Sequence, residues 1–222
     1  LFWIFFIQTW VDYAFYTLPT GEDMGNFTSI YNVPSASPEA KGQLLYFFIG
    51  IQNNGQNPVT ITQPVVNYCG NSQDCDTFNF TQGWSMEPWN CCPNGQTWYG
   101  DNLPVALKDN INAYIYAGQV ETTVVIGMND ITSNGPVTQL TVNDTTRKWN
   151  WAAATLEEYD AIECPYYNAQ PFNCTEMKLM ALDGTVITPK WTGFPNEKCQ
   201  GGVIINDPAD VSIYGTGCPS CV

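Results

Sequence analysis

The chain of 222 residues contains no histidine and only 7 Lys and Arg against 21 Asp and Glu. Without an imidazole it cannot assemble a Ser-His-Asp triad, a Cys-His dyad or a histidine metal site. Catalysis would have to rest on carboxylates, amides, thiols or a lone lysine. The basic deficit leaves a formal charge of −14, which phosphate backbones and anionic membrane surfaces repel. Nucleic acid is excluded as a partner on that ground. Helical periodicity is missing too: no apolar stripe at 3.6-residue spacing persists beyond two turns. There is no internal repeat, low-complexity tract or cofactor motif.

Period-two runs are what the chain does have. Ile111, Ala113 and Ile115 alternate with Asn112, Tyr114 and Tyr116, and residues 120–126 and 185–188 are rich in β-branched side chains. Asn54-Gly55, Asn94-Gly95, Asn134-Gly135 and Asp183-Gly184 mark turns between them. Many strands joined by such turns predict an all-β, antiparallel two-sheet sandwich. With 44% apolar residues the chain supports one substantial core. Three zones follow: an aromatic N-terminal strand at 1–18, a sandwich body at 19–189 and a Cys-rich tail at 190–222.

The N-terminal zone has no basic region before its apolar run and no small-residue cleavage site after it. It is also short for a membrane span. Leu1 to Ile7 is apolar on both faces, so both faces need cover. One reading is a core strand of the same sandwich. The other is a donor strand that places Phe2, Trp3, Phe5, Phe6 and Ile7 in the sheet of a neighbouring subunit. Such a head-to-tail contact does not close and would build filaments.

Nine cysteines and four N-x-Thr sequons, at Asn26, Asn79, Asn143 and Asn173, point to the secretory pathway and to N-linked glycans. Zinc does not suit the cysteine spacing, because Cys218-Pro219-Ser220-Cys221 has no second C-x-x-C and no His. No metal site is expected; the acidic pairs Asp74/Asp76 and Asp207/Asp210 read as solvated turns. Short loops favour the pairs Cys69–Cys75, Cys164–Cys174 and Cys218–Cys221. Adjacent Cys91 and Cys92 point to opposite faces if extended and would take different partners. An odd count leaves one thiol free or joined to another chain.

Gln63 stands in the apolar run Ile61-Thr62-Gln63-Pro64-Val65-Val66. A buried amide satisfied by backbone is the simplest explanation for it. Trp84, Trp89 and Trp98 could stack sugar rings on a sheet face or pack in the core.

Several segments, in order, resemble the glutamic peptidases (eqolisins). They are Phe27 to Pro34, Tyr46 to Gln52, Ile61 to Val66, Trp84 to Trp89 and Ala153 to Tyr159. The resemblance implies a concanavalin-like sandwich and carries the family's catalytic Gln onto Gln63. It carries the catalytic Glu, the general base, onto Ala153. An alanine transfers no proton, and loss of a positioned base forfeits about 10²–10⁴-fold of rate. Glu157 lies four residues on, on the same strand face but roughly 13 Å along it.

Three functions follow as expectations. The first is a non-catalytic, extracellular structural glycoprotein that self-associates by strand addition, a pseudoenzyme in its family. The second is an acid endopeptidase using Gln63 and a displaced Glu such as Glu157, cleaving at roughly pH 2–4. The third is a carbohydrate-binding module built on the tryptophans.

Overall fold

The computed structural model describes residues 10–19, 22–70, 75, 80–118, 123–143, 148–159, 161 and 163–218. Two antiparallel sheets carry almost all of them. The first sheet reads, from edge to edge, Thr192–Phe194 (β14), Trp10–Thr17 (β1), Trp151–Tyr159 (β11), Leu44–Gln52 (β3), Ile61–Cys69 (β4), Gly83–Cys91 (β5) and Trp98–Tyr99 (β6). Leu103–Pro104 (β7) also pairs with β5. The second sheet reads Val137–Asn143 (β10), Thr123–Asp130 (β9), Asn110–Ala117 (β8), Met24–Asn32 (β2), Phe172–Ala181 (β12), Asp210–Tyr214 (β16) and Gly202–Asp207 (β15). Val186–Ile187 (β13) pairs with β12.

The main core lies between the sheets. Alternation on β8 sends Ile111, Ala113 and Ile115 inward, and alternation on β3 sends Leu45, Phe47, Ile49 and Ile51 to meet them. Phe47 stacks on Phe172 across the gap, ring centroids 4.6 Å apart, which adds about 0.5–1.5 kcal/mol to simple burial. β3 and β4 are buried along nearly their whole length on both faces. Such strands read as continuous apolar runs, as Leu44 to Ile51 does. Their second set of side chains, Leu44, Tyr46, Phe48, Ile61 and Val65, forms a separate cluster on the side of the first sheet turned away from the second. That outer face holds the candidate site.

Several expectations change. Trp10–Thr17 pairs with this chain's own β11 and β14, so this part of the N-terminal zone is a strand of the same sandwich rather than a donor. Phe2, Trp3, Phe5, Phe6 and Ile7 lie outside the described residues. Cys69–Cys75 forms as expected, but Cys164 bonds Cys199, not Cys174. Cys174 sits on the inward face of β12 as a buried free thiol, pushed up in pKa by burial, because its neighbours Asn173 and Thr175 face out. A thiol held there cannot link chains. Cys91 and Cys92 bond each other rather than taking different partners, because β5 ends at Cys91 and strand alternation does not carry on to Cys92. Cys218 is disulfide-bonded, and Cys221, its expected partner, lies outside the described residues.

The three tryptophans do not make one platform. Trp84 faces the core beside Phe47 and Tyr68, Trp89 faces outward five residues on, and Trp98 is 39% exposed at the sheet edge. Trp149 and Trp151 likewise part: Trp149 joins the main core, while Trp151 stacks on Phe15 and Trp10 on the outer face. Among the described residues, no cluster of acidic or thiol side chains could hold a metal ion, and no helix is long and apolar enough to cross a membrane.

Candidate active site on the outer face of the first sheet

Rows of side chains cross the outer face, set by the pairing register, and three adjacent ones hold the candidate site. In one row Ala153 on β11 pairs with Gly50 on β3, and Gln63 on β4 pairs with Trp89 on β5. In the next, Thr155, Phe48, Val65 and Glu87 stand side by side. The third is Glu157, Tyr46, Asn67 and Ser85. Glu87 is therefore the diagonal neighbour of Gln63, with Cα atoms about 7–8 Å apart, within reach of two long side chains. Ala153 stands two strands from Gln63, roughly 10 Å away, with the bare Gly50 between them. Glu157 is two rows further on, and the Tyr159 hydroxyl donates to its Oε1 at 2.9 Å.

The ladder between β3 and β4 opens at Gln63. Regular pairs resume at Phe48–Val65 on one side and Ile51–Thr62 on the other. Pro64 has no N–H to give, so a ladder bond is lost there. Tyr31, fully buried on β2 of the opposite sheet, fills the gap: its hydroxyl accepts from the Ile49 N–H at 2.7 Å and donates to the Pro64 carbonyl at 2.9 Å. One phenol thus holds open the backbone beneath Gln63. Tyr31→Phe would strand a buried donor and a buried acceptor. It is expected to cost about 2–3 kcal/mol of stability in denaturant unfolding.

Electrostatically the site is a desolvated acid beside unpaired amides. Glu87 is 3% exposed, and burial pushes its carboxyl up to about 7. The Trp89 Nε1–H donates to Glu87 Oε2 at 2.6 Å and pulls the other way, while Asp101 raises the value further. Gln63 is 5% exposed and its Oε1 has no hydrogen-bond partner among the described residues. The same holds for Asn67 Nδ2 and Thr155 Oγ1, on the same face. Buried polar atoms are nearly always paired in native folds, so three orphans on one face are free to take polar contacts from a bound molecule or from water. Asn67 Oδ1 accepts from the Ser85 hydroxyl at 2.6 Å, which in turn accepts from Asn102. Aromatic rings wall the site: Tyr46 touches Phe80, Trp89 and Tyr159, and Trp10 lies against Phe48.

No protein-family model matches the chain, and no curated protein matches its sequence. Solved structures do. Scytalido-glutamic peptidase with a peptide-based transition-state analogue shares 14% identity over 92% of this chain and 98% of its own, with a TM-score of 0.65. SCP-B, a member of the eqolisin family of peptidases in complex with the tripeptide Ala-Ile-His, shares 14% identity over 93% and 98%, with a TM-score of 0.62. The chain has the fold of the glutamic peptidases. The likeness covers 92–93% of the chain, well beyond the segments that carry the resemblance in the sequence.

Glu87 is the candidate-site residue that sequence reasoning misses. It stands in the aromatic, Glu-containing strand without a role of its own. The available signal is alternation alone, which sets Glu87 and Trp89 on one face.

Proposed function

We propose that this chain is a secreted endopeptidase of the glutamic-peptidase kind that works with Gln63 and Glu87. The observation that carries the reading is the placement of a buried, unpaired Gln diagonal to a desolvated Glu on the outer face of this fold. The orphaned Asn67 and Thr155 atoms, the aromatic wall and the disulfides support it. In the reaction, Glu87 as carboxylate takes a proton from a water molecule whose oxygen adds to the peptide carbonyl carbon. The Gln63 amide donates to the oxyanion that forms. Glu87 then returns its proton to the leaving amine as the C–N bond breaks. A base whose carboxyl titrates near 7 is mostly protonated in strong acid. The working range therefore moves up to about pH 5–7 from the range an ordinary Glu would imply.

Ala153 favours a second reading, a cleft that binds peptides without cleaving them. The two separate in one experiment: incubate the protein with a mixed peptide library between pH 3 and about 7 and follow both cleavage and binding by mass spectrometry. Saturable binding with no cleavage at any pH would overturn the peptidase reading. In that case Ala153→Glu, which installs a carboxyl across Gly50 from Gln63, is expected to create measurable cleavage where none existed.

A further inference from the structure

Asn79 lies outside the described residues; the other three sequon asparagines, Asn26, Asn143 and Asn173, all open onto one surface. Strand alternation forces this: Asn and Thr of an N-x-Thr sequon share a face, and the middle or preceding residue takes the other. Phe27, between Asn26 and Thr28, is fully buried in the main core, as is Cys174 between Asn173 and Thr175. Val142 is buried there as well, so Asn143 after it faces out. All three asparagines belong to the second sheet and point away from the first. The face that holds Gln63 and Glu87 is the opposite face of the molecule.

Asn26 has an aromatic partner. It pairs directly with Tyr116 on β8, which places the two Cβ atoms about 4.5–5.5 Å apart on the outer side. Tyr116 is 44% exposed. Its ring stacks on Tyr114, centroids 5.0 Å apart and planes 21° from parallel. Tyr114 is itself fixed: it lies over Gly127, where any Cβ would collide with the ring, and its hydroxyl donates to Gln139 Oε1 at 3.1 Å. The Asn26 side chain has no hydrogen-bond partner among the described residues, nor does that of Asn173. Here, rather than at the tryptophans, the fold presents a preorganised aromatic surface beside a sugar acceptor.

We infer that the outer face of the second sheet bears the glycans of Asn26, Asn143 and Asn173, and that the first N-acetylglucosamine on Asn26 stacks on Tyr116. The sugar joins through an N-glycosidic bond from Asn26 Nδ2 to the anomeric carbon, with the donor's lipid diphosphate as leaving group. Aromatic faces suit the axial C–H side of a pyranose, and the amide of the acetamido group stays in water. Glycans on this side leave the Gln63 face unobstructed. The inference stands whether or not that face cleaves peptides.

The test is secretion of the full chain from a host that adds N-glycans, followed by site mapping and melting. Enzymatic release is expected to mark Asn26, Asn143 and Asn173 as aspartate. Trimming every glycan to one N-acetylglucosamine should leave a melting temperature roughly 2–4 °C above that of the fully deglycosylated protein. That difference should vanish in Tyr116→Ala and in Asn26→Gln, each compared only with its own deglycosylated form, so any intrinsic cost of the substitution cancels. An unoccupied Asn26 in the secreted protein would overturn the inference. So would a difference that survives Tyr116→Ala.

Discussion

Glu87→Gln is expected to lower the rate of peptide cleavage by about 10²–10⁴-fold, the usual cost of removing a positioned base. Gln63→Ala should fall in a similar range, because an oxyanion donor removed from a dry site costs about 10²–10³-fold. Glu157→Gln should leave the rate close to wild type. Glu157 lies two rows from Gln63 and holds the Tyr159 hydroxyl, so the change spares the Gln63–Glu87 pair. The pH profile separates a chemical role from a structural one. If Glu87 is the base, kcat/KM rises tenfold per pH unit on the acid side and levels near pH 7, where its carboxyl titrates. A profile that peaks near pH 3 and survives Glu87→Gln would reject the assignment and point to another carboxyl.

Asp12→Asn is expected to stabilise the protein at neutral pH and to change little in acid. Asp12 lies on β1, fully buried among core residues, and burial pushes its carboxyl up to about 7. Its Oδ1 accepts from the Asn196 N–H at 2.6 Å, a bond that favours the charged form but does not outweigh burial. Its Oδ2 is buried with no hydrogen-bond partner among the described residues. A Cβ built on Gly201 would sit 2.7 Å from Oδ2, 2.8 Å from the Gly215 carbonyl and 2.9 Å from the Tyr214 carbonyl, so these acceptors crowd one spot. A protonated Oδ2 is a donor, whereas the carboxylate adds one more acceptor to a spot already lined by acceptors. Between the unfolded value near 4 and the folded value near 7, the folded chain keeps a proton that the unfolded chain has released. Stability from this group is therefore complete below about pH 4, falls as pH rises, and levels off above about 7. The loss is about 4 kcal/mol for Asp12, and Glu87 acts in the same direction with about 3 kcal/mol. An asparagine keeps the Asn196 contact and puts a neutral donor where Oδ2 stands. At pH 7.5 its melting temperature should exceed wild type by on the order of 10 °C, and at pH 3.5 by almost nothing. Equal gains at both pH values would show that Asp12 is not protonated in the fold.

Activity and stability pull the working pH in opposite directions. Activity through Glu87 asks for its carboxylate, whereas the fold is steadiest while Asp12 and Glu87 hold protons. The compromise lies between about pH 5 and 7.

Much of the site is legible in the amino-acid sequence. Gln63 stands out because an amide in an apolar run needs a reason, and Ala153 stands out against the family's Glu. Glu87 does not, since a single acidic residue between tryptophans looks the same whether its strand lies beside Gln63 or across the sheet. Asp12 is equally mute: its environment comes from Asn196, Gly201 and Tyr214, almost the full length of the chain away. The disulfides show the same division. Cys69–Cys75 closes a local loop and follows from spacing, whereas Cys164–Cys199 spans 35 residues and depends on how the tail crosses the sheet end.

The sequence by itself determined the all-β class, the local Cys69–Cys75 loop and the exclusion of imidazole chemistry, because alternation, turn residues, short spacing and composition act locally and leave a readable trace. Tertiary structure alone decided which strands became neighbours and in what register. That choice set Glu87 beside Gln63, sent Tyr31 into the break at Pro64, buried Cys174 and gathered Asn26, Asn143 and Asn173 onto one face. Register is a property of strand pairs, fixed by packing summed across both sheets, and no single segment carries it.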